Sequence, residues 1–244
     1  MQYNFITNKL VPAQRAATDL LKAYFASNVS TALQQPGTKL NTGDSRMLIS
    51  TPTYSIPSPA SSSSALVVQL FSWASTSGQD KSRHASTVGN ASSKLNSTSL
   101  NSLVAALSRL FSSTTDLQVP VQLRIVRLHH PYLNSSILAQ FLALNASKYG
   151  FARLRQYVLN SIPLSTIWSS EARRSTQNTN TNSVLGVRVQ VSGLLTTQRM
   201  APRKTVSTVS AGTFHGPGTH VDYSSHTSKS ALGSYTVKVW LCTC

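Results

Sequence analysis

The chain has 244 residues, and its 22 Lys and Arg against 6 Asp and Glu give a formal charge of +16. That length suits one large domain or two small ones, and the imbalance predicts a polyanionic partner, nucleic acid first. The acids (Asp19, Asp44, Asp80, Asp116, Glu171 and Asp222) are scattered along the sequence, which argues against paired-carboxylate catalysis and against a carboxylate-held metal.

In chain order, Ala16, Ala17, Leu20, Leu21, Tyr24 and Phe25 recur at helical spacing after Pro12 and predict one amphipathic helix. We read this basic stretch as the first helix of the fold rather than as a transit peptide. Asn28 to Ser64 holds Pro36-Gly37, Gly43, Pro52, Pro57, Pro59 and a run of serines, and is expected to be a loop or insertion. A strand is predicted from Ala65 to Trp73. Ala74 to Asn96 is polar and reads as a flexible loop, with Lys81, Arg83, His84 and Lys94 suited to phosphate. Leu100, Leu103, Val104, Leu107, Leu110 and Phe111 form the cleanest helical stripe, with its cap expected among Asn96, Ser97, Thr98 and Ser99. Val121, Leu123 and Ile125 alternate with Gln122 and Arg124 as in a strand.

A helix is expected from about Asn134 to Ser147, with Ile137, Phe141, Leu138 and Leu142 on its buried side. A second starts near Phe151, stacking Phe151, Leu154, Val158 and Ile162 on one face. Arg153 is expected to point away from that face, and Arg155 to sit at its margin. Pro163 to Ser183, rich in Asn, Thr and Ser, reads as an insertion carrying Arg173-Arg174. Val184 to Gly193 then alternates Val187, Val189 and Val191 against Arg188 and Gln190, a strand with one dry face and one wet face. Arg203 to Val209 is expected to be a strand, and Gly212 to Gly218 a turn. Gly233 to Leu241 alternates Tyr235, Val237, Val239 and Leu241 against Thr236, Lys238 and Trp240. Trp240, on the polar side, is expected to pack on a neighbouring element or on an RNA sugar.

Three motifs occur in order: Gly-Val-Arg-Val-Gln-Val-Ser-Gly at Gly186 to Gly193, Val-Asp-Tyr at Val221 to Tyr223, and Val-Lys-Val-Trp at Val237 to Trp240. Together they resemble the carboxy-terminal domain of small-subunit ribosomal protein three, in the divergent mitochondrial, fungal form (the Var-type protein). The likeness covers Val121 to Trp240 and extends to Met1 to Pro120 in outline. It implies an α+β fold: a degenerate KH-like domain over 1–128, with inserted loops at 28–64 and 74–96. A carboxy-terminal domain over 129–244 follows, with two helices on a small mixed or antiparallel sheet and an insertion at 163–183. Two departures stand out. No Gly-x-x-Gly loop precedes Leu100, so KH-type clamping of single strands is not carried over. The family's Ser-Gly-Arg-Leu is Ser192-Gly193-Leu194-Leu195 here, and Arg199, Arg203 and Lys204 stand nearby to supply the charge.

The resemblance implies a structural constituent of the mitochondrial small ribosomal subunit. It would bind ribosomal RNA in the head, near the messenger RNA entry site, beside small-subunit proteins ten and fourteen. The RNA-binding set is taken as Arg124, Arg127, Arg153, Arg155, Arg173, Arg174, Arg188, Arg199, Arg203, Lys204, Lys229 and Lys238. Val121 to Cys244 carries a net +11 and Met1 to Pro120 a net +5, so charge is denser in the half that carries the likeness. By alignment, Arg153 and Arg155 match the family's messenger-entry helix.

No enzymatic activity, cofactor or metal is expected. There is no Gly-x-x-x-x-Gly-Lys loop and no Gly-x-Ser-x-Gly elbow. Cys242 and Cys244, read as a frayed tail, supply two ligands and no closed tetrahedral site. Trp73 and Trp168 read as core or loop anchors before base-stacking groups. The best apolar stretch, Ile137 to Leu144, is far too short to span a membrane. Two other classes remain to be distinguished: an organelle-encoded intron maturase or nuclease, and a free RNA-binding protein. The first needs metal-holding carboxylates, and the second does not travel with a ribosomal subunit.

Overall fold

In the computed structural model the chain divides into two units, Met1–Arg127 and Leu128–Cys244. The structure describes residues 3–30, 47–55, 65–74, 97–115, 120–146, 151–164, 184–195, 205–215, 219–230 and 233–243.

In the first unit α1 spans Tyr3–Ser30 and runs through Pro12. The expected helix began only after that proline. Its buried stripe starts earlier, at Leu10, and continues through Ala13, Ala17, Leu21 and Phe25. The loss of one internal hydrogen bond at Pro12 is therefore set against an apolar face that lies on both sides of it.

A second correction concerns the stretch 28–64, expected to be all loop. It contains β1, Met47–Ile49, and β2, Thr53–Ser55. Both pair antiparallel with β3, Leu66–Ala74, along the edge opposite to β4, Val121–Arg127, which pairs with β3 in parallel. Strands of three residues are too short to show alternation. Between them the register slips by one residue at Ser50, where the Phe71 N–H donates to Ser50 Oγ at 2.9 Å and the Ser50 N–H to the Phe71 carbonyl at 2.9 Å. Pro52, which has no N–H to donate, falls in the unpaired break.

The helix α2, Ser97–Thr115, crosses between the parallel strands and buries Leu103, Leu107 and Phe111. These meet Ala17, Leu21, Val68 and Leu70 in one core. The Tyr54 hydroxyl donates to the Gln14 carbonyl at 3.0 Å and so ties β2 to α1.

The second unit opens with one 3-10 turn at Pro131–Leu133 and then α3, Ser135–Ala146. Asn134 caps α3: its Oδ1 accepts from the N–H groups of Ser136 and Ile137 at 3.1 and 3.2 Å. The helix is buried almost all round, from Ser135 to Ala139 and again at Leu142, Ala143 and Ala146, in keeping with apolar residues on every side of it between Ile137 and Leu144. The next helix, α4, spans Phe151–Ser161 and inserts Leu154 and Val158.

Four strands complete the unit: β5 Val184–Gly193, β6 Val206–Gly212, β7 His220–Ser230 and β8 Gly233–Thr243. Their order is β6-β5-β8-β7, antiparallel throughout. Val187, Val189, Val191, Val209, Tyr235, Val237, Val239 and Leu241 meet α3 and α4 on one face. The expected α+β class, with two helices on a small antiparallel sheet, is what this unit forms.

Three expectations here are corrected. β6 runs to Gly212 rather than ending at Val209, because it is paired with β5 as far as Gly186, while Arg203 and Lys204 at its expected start lie outside the described residues. β7 is a full strand of 11 residues although only Val-Asp-Tyr had been singled out. Its helix-facing positions are Asp222, Ser224, His226 and Ser228, so no apolar alternation marks it. Cys242 is not in a frayed tail; it is fully buried in β8, opposite Gly186 and Val221.

Glycines are required where β5 meets its neighbours. Gly193 has φ 114°, and a Cβ there would lie 2.6 Å from the Ser234 carbonyl oxygen. Gly212 has φ 80° and lies against the Leu185 carbonyl.

Candidate nucleic-acid interface

Antiparallel pairing sends directly opposed residues to the same face of a sheet. The register of the second unit therefore defines the outer face, away from α3 and α4. One row across it is Ser210, Arg188, Trp240 and Tyr223. The next is Thr208, Gln190, Lys238 and Ser225, and Lys229 lies further along, opposite Ser234. No element among the described residues of this unit covers these rows.

The outer face is cationic. Arg188 and Lys229 are exposed and Lys238 is half-buried. Asp222, the one acid among the unit's described residues, pairs with buried Leu241 and so belongs to the helix-covered side. Strand alternation thus separates the charges: cations outward, the carboxylate inward. The Arg188 guanidinium lies over the Trp240 ring, 5.3 Å from its centroid. On the next strand Tyr223 meets the same indole, with centroids 5.2 Å apart and the rings inclined by 40°. Trp240 therefore packs on its neighbours across the sheet, as its place on the polar side implied.

Within the second unit the described cations fall on both sides of the sheet. Arg188, Lys229 and Lys238 share the outer face. Arg153 and Arg155 are exposed on α4, on the other side of the sheet. Arg124 and Arg127 are exposed on β4 in the first unit, where Arg124 donates to Gln122 Oε1 at 3.5 Å. Arg173, Arg174, Arg199, Arg203 and Lys204 lie outside the described residues, as do Trp168 and the phosphate-loop candidates Lys81, Arg83, His84 and Lys94. Tyr223 was not among the predicted site residues. Its signal, a Tyr in phase with Val221 and out of phase with Asp222, becomes readable only once the pairing of β7 with β8 is known.

Arg153, expected to point away from the buried face of α4, lines a groove of about 220 Å³ with Phe141, Leu142, Asn145, Leu154 and Tyr157. Arg155, two residues further along the helix, is exposed. Phe141 and Tyr157 pack with ring centroids 5.3 Å apart.

Burial, and then the nearby Tyr132, push the Tyr157 phenol up to about 12. Because the folded value exceeds the unfolded one, Tyr157 contributes stability in full below pH ~10. That contribution is lost as pH rises from there toward about 12. The expected result is that stability falls across this window and that Tyr157→Phe flattens the fall. Urea midpoints measured at pH 9 and pH 12 check it.

Among the described residues, no group of three His, Cys, Asp or Glu side chains converges to hold a metal. No described helix is long and apolar enough to cross a membrane.

The family model described as mitochondrial ribosomal protein (VAR1) matches residues 47–244. The small ribosomal subunit protein uS3m of Mycosarcoma maydis is 34% identical over 161 residues, 59% of this chain. The match spans 56% of that relative's length. The resemblance drawn from the three strand motifs is thereby upheld, and the chain belongs to the mitochondrial ribosomal protein (VAR1) family, whose place is the mitochondrion.

Proposed function

We propose that this chain is a structural constituent of the small subunit of the mitochondrial ribosome, holding folded ribosomal RNA in the subunit head. The observation that carries the reading is the outer face of the β5–β8 sheet, where Arg188, Lys229 and Lys238 stand without an acid among the described residues. Such a face binds by releasing counterions from RNA phosphates. Contacts of that kind fix position and orientation without reading sequence. No bond is made or broken in this role, and no cofactor enters it.

The first unit fits a reduced KH-like domain: helix, broken strand, strand, helix, parallel strand. Without a Gly-x-x-Gly loop before Leu100 it serves as a scaffold, with Arg124 and Arg127 on its β4 as the cations offered to RNA. In the second unit, α4 lies at the messenger entry path. Arg153 and Arg155 project to different sides of it and so meet different stretches of RNA. Neighbouring head proteins, by the family likeness proteins ten and fourteen of the small subunit, complete the surroundings.

Sedimentation tests the reading. A tagged chain in a mitochondrial lysate is expected to travel with the small subunit through a sucrose gradient in high salt, and to leave that position after ribonuclease treatment. A chain that stays at the top of the gradient contradicts it. The entry-path assignment has its own test. Arg153→Glu with Arg155→Glu is expected to leave the chain in the subunit and to impair messenger loading, most for structured messages. Unchanged initiation on structured messages refutes the assignment.

A further inference from the structure

We propose that the outer face of the β5–β8 sheet is a stacking platform for unpaired nucleotides, with the Tyr223 ring receiving a base and Lys238 receiving a flanking phosphate. The inference rests on the ribosomal reading and narrows it, from RNA in general to bases exposed in single-stranded loops.

Arg188, Trp240 and Tyr223 stand in one register row over three adjacent strands. Trp240 is engaged from both directions, by the guanidinium at 5.3 Å and by the tyrosine ring at 5.2 Å. The indole acts as a spacer that holds its two neighbours in place. Tyr223 keeps 50% of its surface exposed, and beside it on the same face of β7 Val221 keeps 43%. An aromatic ring held rigid on a strand and left open on its outer side is a stacking surface prepared before its ligand arrives.

The occupant follows from the charges. An apolar protein surface would cover Tyr223 and Val221 but leave the cations without partners. An acidic protein would answer the cations and leave the ring in contact with charged groups. A nucleotide answers both, because every base has a π-face and every linkage a phosphate. Lys238 is the diagonal neighbour of Tyr223, since it pairs with Ser225. That diagonal is roughly 7–8 Å, within reach of a flexible ammonium. Lys229 lies six residues along β7, roughly 20 Å away, so the strand would track along β7 beyond the stacked base. Stacking of this kind discriminates little between bases.

The test uses the full chain and two probes: a short oligouridylate, and an abasic ribose–phosphate strand of the same length. Tyr223→Leu keeps an apolar side chain and removes the ring. It is expected to weaken oligouridylate binding roughly 5- to 150-fold, the loss of one base–aromatic stack, while leaving abasic-strand binding and the salt dependence unchanged. Tyr223→Phe is expected to bind as the original chain does. The inference is overturned if the original chain binds both probes equally, or if Tyr223→Leu binds oligouridylate undiminished. It is also overturned if Tyr223→Leu loses both probes alike, which marks a structural role. Should Tyr223→Leu loosen the chain from the subunit without affecting either probe, the face docks a protein instead. In each of these cases sedimentation with the subunit decides the ribosomal reading separately.

Discussion

Replacing Tyr235 with Ala is expected to destabilise the carboxy-terminal unit by about 3–5 kcal/mol, the range for removing a large aromatic side chain from a core. Tyr235 is 1% exposed and sits on β8 under α3. Its hydroxyl donates to the Ala143 carbonyl at 2.7 Å, inside the core. One side chain thus supplies apolar volume and pins helix to sheet. Tyr235→Phe keeps the ring and loses the hydrogen bond, so its expected effect is smaller, about 1–2 kcal/mol. Amide hydrogen exchange on peptides from α3 and β8 checks both. The Ala variant should lose protection in both elements together. If protection falls in β8 alone, the bond to Ala143 does not couple the two layers.

The second large effect is expected on RNA. Arg188→Gln with Lys238→Gln removes two cations from the outer face and keeps the side-chain stems. Each phosphate contact contributes about 0.7–0.9 to the slope of log affinity against log salt. At about 0.15 M salt this amounts to roughly fivefold in affinity per contact, so the pair should lower affinity roughly twentyfold and reduce the slope by about 1.4–1.8. A filter-binding titration of the full chain against small-subunit ribosomal RNA over a range of salt reads both numbers. An unchanged slope with lower affinity would mean that the two residues act through the fold, since Arg188 also packs on Trp240. Arg124→Gln with Arg127→Gln in the same titration shows whether the first unit shares the load.

Much of the carboxy-terminal unit was legible in the sequence because its strands obey a strict period of two. Val187, Val189 and Val191 fall on one side, as do Tyr235, Val237, Val239 and Leu241, and all are buried. The outward phase of Arg188 and Lys238 followed from the same alternation. What alternation cannot convey is register between strands, and register is what places Arg188, Trp240 and Tyr223 in one row. β7 was harder still. Its inward positions are polar, and pairing with β8 over its full length organises it rather than burial of apolar side chains. In the first unit β1 and β2 were missed because three residues carry no period, and α1 was cut short because Pro12 is a strong local signal. Leu10 on one side of it and Ala13 on the other, both buried, show tertiary packing prevailing over that signal.

The most direct test of the account is hydroxyl-radical footprinting of the chain, free and then assembled in the mitochondrial small subunit. The account predicts that Tyr223, Trp240 and Lys238 become protected on assembly, and that ribonuclease digestion restores their reactivity. Outer-face side chains that react as freely in the subunit as in the isolated chain would contradict it.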